Sequence, residues 1–189
     1  MKRSLITLAL TAAQLAPALA QVDVAKSSVP QGFPSVIVAI SKQMGVPVEG
    51  KFKRFTAQIS FDPAKPAEGK ASVDIDIASF DLGADDFNRE TVKPEWFNAA
   101  KFPRATFVTT AIKPAGPGKF EAAGKLTIKG ITRDVVAPVS FKAEGGQQVF
   151  EGVLPIKRLA FNIGEGAWKD TSTVADDVQI RFRIVTAKK

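Results

Sequence analysis

The chain has 189 residues, with 26 Lys and Arg against 19 Asp and Glu, and no His, Cys or Tyr. That length suits one domain with ample core. The missing residue types remove disulfides, thiolate nucleophiles, Cys-ligated metals, imidazole bases and the Ser-His-Asp triad, which turns the composition from catalysis towards binding and leaves no ordinary metal or cofactor site.

Residues 1–20 read as a secretory signal: Lys2 and Arg3 form a charged start, an apolar stretch follows, and Ala18-Leu19-Ala20 is a small-residue cleavage site. The stretch is too short to span a bilayer and is broken at Pro17. The mature chain is expected to be one domain over residues 21–189. Its basic surplus is dispersed along strand faces, with no aromatic–basic platform for nucleic acid.

Residues 36–40 read as an opening strand. From Lys53 onward apolar positions recur every second residue, the period of a half-buried strand. Phe55, Ala57, Ile59 and Phe61 alternate with Arg54, Thr56, Gln58 and Ser60; Ala71, Val73, Ile75 and Ile77 alternate with Ser72, Asp74 and Asp76. The pattern continues through residues 105–112, then Phe120, Ala122, Gly124, Leu126 and Ile128. Residues 135–143 and 149–156 follow, residues 159–163 read as a further short strand, and Val178, Ile180, Phe182 and Ile184 close the series. Turn residues separate the runs, with Gly145-Gly146 a good tight-hairpin signal. Short strands with local turns predict an all-β, antiparallel sheet of about eight strands, which buries its apolar face against a second sheet or by closing on itself.

One interval breaks the pattern. Residues 81–103 read as loop with one or two short helices, an insertion over about residues 84–100 in which Pro94 suits a first helical turn and Glu95 its N-terminus. Trp96, Phe97 and Phe102 make it aromatic, either a plug over one end of the sheet or a mobile gate. Asp85 and Asp86 read as solvated or capping acids, and Asp176 and Asp177 as turn residues before the last strand. Trp168 reads as a loop aromatic folded over the same kind of end, with a lid or a membrane-touching residue as its other role.

These residues resemble the YceI-like family. Gly50-Lys51-Phe52 with Phe55 and Phe61-Asp62-Pro63 is similar to its opening. Residues 79–83, Arg89 and the run from Trp96-Phe97 to Phe102-Pro103 followed by Phe107 resemble its central signature. Residues 124–132, Gly-Lys-Leu-Thr-Ile-Lys-Gly-Ile-Thr, match its hairpin motif, and residues 158–164 and 177–184 its closing segment. The ordered set covers roughly residues 48–186. The resemblance implies an eight-stranded antiparallel lipocalin-like barrel exported to the periplasm, holding a long polyisoprenoid or similar amphiphile in an apolar lumen. Relatives commonly carry an Asp…His-Ser element near the N-terminus; here Asp23-Val24-Ala25-Lys26-Ser27-Ser28 has Lys in place of His, and residues 30–34 look like an insertion.

Eight strands enclose a barrel that is either filled by side chains or just able to hold one small ligand. Alternation names its inward positions: Phe55, Ile59 and Phe61; Val73, Ile75 and Ile77; Phe107; Phe120, Leu126 and Ile128; Val139 and Phe141; Phe150, Leu154 and Ile156; Ile180 and Phe182. A dry core would show the same pattern. Phe accounts for 14 of the aromatics against 2 Trp, and rings without a polar handle suit an apolar lining. With the resemblance, the reading is a lipid lumen that sequesters or shuttles an isoprenoid, a quinone or another long-chain lipid, with transient membrane contact. Arg89 and Arg158 are the candidates for a head-group contact, or else tie down the insertion. The alternative is a solid-core periplasmic protein-interaction domain without lipid. A carboxylate-based enzyme would need acids inside the barrel, whereas the alternation puts nearly all of them on polar faces or turns.

Overall fold

The computed structural model describes residues 35–187. The expected secretory signal, the Asp23–Ser28 departure and the insertion at residues 30–34 lie outside the described residues.

Ten strands form: β1 (Val36–Gln43), β2 (Val46–Phe52), β3 (Phe55–Ser60), β4 (Lys70–Asp76), β5 (Phe80–Asp81), β6 (Arg104–Gly116), β7 (Lys119–Ile128), β8 (Ile131–Glu144), β9 (Gln147–Lys157) and β10 (Asp177–Ala187). They make one sheet in the order β3-β4-β6-β7-β8-β9-β10-β1-β2-β5. Every neighbouring pair is antiparallel. Local hairpins set most of the register. Lys129-Gly130 and Gly145-Gly146 each place two successive residues at positive φ (50° and 75°; 57° and 76°), the twist that suits a two-residue hairpin.

The two ends of this order meet at a corner. β2 and β3 are one run of chain bent at Lys53-Arg54; β4 and β5 are one run bent at Ile77–Ser79. Phe52 pairs with Phe80 on one side of the bend and Phe55 with Ile75 on the other. Between them the Lys53 amide donates to the Ser79 carbonyl (3.1 Å) and the Asp76 amide to the Arg54 carbonyl (3.0 Å). The Arg54 amide donates to Ser79 Oγ at 3.0 Å, so a buried serine satisfies backbone that the bend would otherwise orphan. The sheet thus has ten strands rather than the expected eight. It is a curled half-barrel whose two end hairpins join through this corner, not the regular eight-stranded lipocalin-like barrel expected.

Three local expectations are also corrected. β2 lies before the period-two signal, and Pro47 and Gly50 obscure its alternation. Gly50 is required there by a close approach: a Cβ would sit 2.1 Å from the Phe80 ring. Residues 159–163 are not a strand. Arg158–Phe161 is a 3₁₀ turn ending at Asn162 with φ 53°, because the Arg158 side chain curls back onto the carbonyls of Ile163 and Gly164. The insertion's helix is α1 (Asp85–Thr91), and Pro94 stands in turns beyond it rather than in a first helical turn. Asp85 and Asp86 favour the helix start, and Pro94 suits the end of a helix two residues past its cap.

Candidate functional site

The inward faces of the curled sheet enclose two apolar chambers that share Ile180. Along β10, Val178 faces the upper chamber, Ile180 both, and Phe182 and Ile184 the lower one. At ~3.3 Å per residue this run covers about 20 Å. Neighbouring strands repeat the division: Ile156 above and Leu154 and Phe150 below on β9, Ile128 above and Leu126 and Phe120 below on β7.

The lower chamber has a volume of about 120 Å³ and a wall that is apolar except for Thr109. Ile59, Phe61, Val73, Ile75, Phe107, Phe120, Leu126, Val139, Phe150, Leu154, Ile180 and Phe182, all expected from alternation, line it. Phe61 closes its far end, with its ring centroid 4.9 Å from Phe120, 5.2 Å from Phe141 and 5.7 Å from Phe150. Gln148 Nε2 donates to the Phe61 carbonyl at 3.1 Å and pins that end. Small residues leave the space: Ala122 and Ala137 face each other across β7 and β8, both on the wall.

The upper chamber, about 280 Å³, is lined by β1 and β2 and capped by two non-strand segments. One is α1 with the turn after it, contributing Phe87, Thr91, Trp96 and Phe97; the other runs from Arg158 to Val174. Trp96 and Trp168 meet across the cap at 5.3 Å, and Phe97 packs on Phe80 at 5.5 Å. Backbone ties join the segments, since the Gly164 and Glu165 amides both donate to the Glu95 carbonyl at 2.8 Å. Lys129 Nζ reaches Asn162 O at 2.7 Å and Glu165 at 2.8 Å, tying the β7–β8 turn to the same cap. This bond holds the Glu165 carboxyl below its usual range.

Arg158 organises the second segment. It is 2% exposed, and its five N–H groups reach backbone carbonyls: Ala175 at 3.1 Å, Ile163 at 2.8 Å, Gly164 at 3.1 Å, Trp168 at 2.6 Å and Val174 at 2.7 Å. Burial lowers its pKa and the Asp176 charge opposes that. Arg89 points away, exposed on α1 and bonded to Asp86.

Asp81 anchors α1. Lys53 Nζ lies 2.6 Å from its carboxylate, Asn88 Nδ2 donates to it at 2.8 Å and the Gly83 amide at 3.0 Å. Asn88 Oδ1 in turn accepts from the Leu82 amide at 2.7 Å. Together these hold the Asp81 carboxyl at about 2, against an ordinary 3.8. The folded-state value is depressed, so its stabilisation is full above the ordinary value and lost as the pH falls towards 2. Protection of the α1 amides against hydrogen exchange, corrected for the intrinsic slowing of exchange in acid, should therefore fall below about pH 4, and Asp81→Asn should show that loss of protection already at neutral pH.

Other expected residues sit elsewhere. Ile77 is 1% exposed at the corner, Phe55 and Phe141 pack against the core beside the chambers, and Phe102 lies over the Lys129-Gly130 turn. Some missed wall residues, Ile37, Ala71, Ala122 and Ala137, alternate correctly but are small or early in the chain; Phe52, Phe80, Leu82 and Phe87 belong to short or bent elements whose inward side has no period; Ile112, Val178 and Ile184 follow the alternation and were left out of the expected wall.

Comparison with known proteins places the fold among solved relatives. The chain is 55% identical to Burkholderia cenocepacia BcnA, whose crystal structure superposes with a TM-score of 0.80 over 81% of this chain and 96% of that one. A Campylobacter jejuni YCEI protein is 27% identical with a TM-score of 0.68, covering 89% and 98%. A polyisoprenoid binding domain from Saccharophagus degradans, at 15% identity, shares the fold with a TM-score of 0.64 over 81% and 93%. Among curated relatives, a UPF0312 protein of Pseudomonas fluorescens is 34% identical over 154 residues, 75% of this chain and 76% of its own length. The YceI-like domain matches residues 21–186, nearly the whole chain, and the chain belongs to that family.

Proposed function

We propose that this chain is an exported periplasmic carrier that sequesters or shuttles one long-chain isoprenoid, quinone or related amphiphile in its two chambers. The observation that carries this reading is open volume behind an almost wholly apolar wall. Native interiors are close-packed, with few voids. At ~24 cal/mol per Å³, a lower chamber of about 120 Å³ left empty forgoes about 3 kcal/mol, a large share of a domain's net stability. An apolar chain recovers those contacts, whereas water does not enter a wall that offers it no partners.

The energetics favour carriage over storage without release. Each buried methylene gains ~0.8 kcal/mol relative to water, but such a lipid resides in a bilayer as apolar as the chamber wall. Transfer is then near balance, and loading and unloading are both accessible. Phe87 (60% exposed) on α1 lines the upper chamber, Met44 (75%) and Val46 (63%) stand on the β1–β2 hairpin between the wall residues Gln43 and Val48, and these three are the surface we assign to membrane contact. The charged start, apolar stretch and small-residue site read in residues 1–20 support export. The fold shared with a domain described as polyisoprenoid binding supports the ligand class.

Purification of the mature protein from its host, solvent extraction and mass spectrometry against a delipidated control test this. A stoichiometric isoprenoid or quinone is expected. A clean extract that stays clean after incubation with membranes favours the lipid-free interaction domain instead.

A further inference from the structure

The two chambers differ in polar character. In the lower one, the Thr109 hydroxyl is already committed to the Ala71 amide (2.8 Å) and carbonyl (3.2 Å), so nothing on that wall awaits a polar ligand atom. The upper wall carries Trp96, whose Nε1–H is buried without a hydrogen-bond partner. An unpaired buried donor costs about 1–3 kcal/mol, and this N–H, closed off from the chamber, gains from a ligand acceptor that displaces the packing over it. The charges on the same wall limit which acceptor. Arg158 is the one cation among the described wall residues, and its five N–H groups are spent on backbone carbonyls. Lys129 is spent on Glu165 and the Asn162 carbonyl. The remaining charged wall residue is Glu90, an acid, paired with Lys93.

A phosphate brought here would leave water, find no uncommitted cation on the wall and stand in the same chamber as a carboxylate. A buried charge without a partner is costly, whereas a neutral oxygen has only to accept one hydrogen bond. We infer that the upper chamber receives the polar end of the bound amphiphile and selects an uncharged acceptor, a carbonyl or hydroxyl oxygen, over a phosphate or diphosphate, with Trp96 Nε1 as the donor. This rests on the lipid reading above and gives the ligand a direction: tail below Ile180, head beneath the cap.

The test is loading from phosphatidylcholine vesicles that carry a polyprenol, the polyprenyl phosphate of the same length, and a headless hydrocarbon of similar length. Wild type and Trp96→Phe are re-isolated, extracted and analysed by mass spectrometry. Wild type should take up the polyprenol at least ~10-fold over the phosphate, the scale of an uncompensated charge. Trp96→Phe should lower polyprenol loading about 5-fold, as loss of one hydrogen bond requires, and leave hydrocarbon loading unchanged. Phosphate loaded as well as polyprenol overturns the head-group inference and leaves the lipid reading standing. So does a Trp96→Phe effect equal on polyprenol and hydrocarbon, which is what a purely packing role gives. Uptake of none of the three overturns the lipid reading and this inference with it.

Discussion

Arg158→Met should lose at least about 3 kcal/mol of stability, because it strips hydrogen-bond donors from five carbonyls at once and each buried acceptor left unpaired costs ~1–3 kcal/mol. For a domain of this size that is a fall in Tm of about 10 °C, out of a total stability of ~5–15 kcal/mol. Arg158→Lys should recover little, since an ammonium is a compact donor and cannot reproduce a planar fork of five N–H groups. Thermal unfolding followed by circular dichroism reads both variants. A Tm within about 2 °C of wild type would show that the segment from Ile163 to Ala175 is held by its other ties.

Ala137→Phe is the second large effect, on binding rather than folding. Ala137 faces Ala122 across β7 and β8 on the wall of the lower chamber. A cavity of ~150 Å³ holds a benzene ring, and the lower chamber has about 120 Å³, so a phenyl side chain fits with slight adjustment. The variant should keep or raise its Tm and lose most of its lipid loading, at least ~10-fold, because tail and ring compete for the same volume. A solid core gives the opposite pair of results: overpacking costs ~1–3 kcal/mol, with no lipid to displace.

The sequence-level reading succeeded where one physical rule dominates. β7 pairs along its whole length, and Phe120, Leu126 and Ile128 fall on the wall as period two requires. Twelve lower-chamber residues were legible for the same reason, because a half-buried strand must put alternate side chains inside. The upper chamber was far less legible. Its cap is assembled from α1, a series of turns and a 3₁₀ segment, where inward residues follow no repeat. Arg158 was visible as a residue of interest, but its partners are backbone carbonyls, and a carbonyl leaves no trace in residue type. The corner was hidden differently: nothing in the residue types at 53–54 or 77–79 marks a bend, which is made by backbone pairing and Ser79, not by Pro or Gly.

Occupancy of both chambers by one long chain is tested most directly by chain length. Farnesyl-length and octaprenyl-length isoprenoids with the same uncharged head would be offered to the delipidated protein, each from phosphatidylcholine vesicles, and loading compared at equal membrane content. An extended farnesyl chain is shorter than the roughly 20 Å from Val178 to Ile184 and leaves space unfilled, whereas an octaprenyl chain, longer than that run, occupies both chambers by folding back on itself. Preference for the long chain by at least ~10-fold, abolished in Ala137→Phe, is the expected result. Equal loading of both lengths would contradict an elongated binding interior.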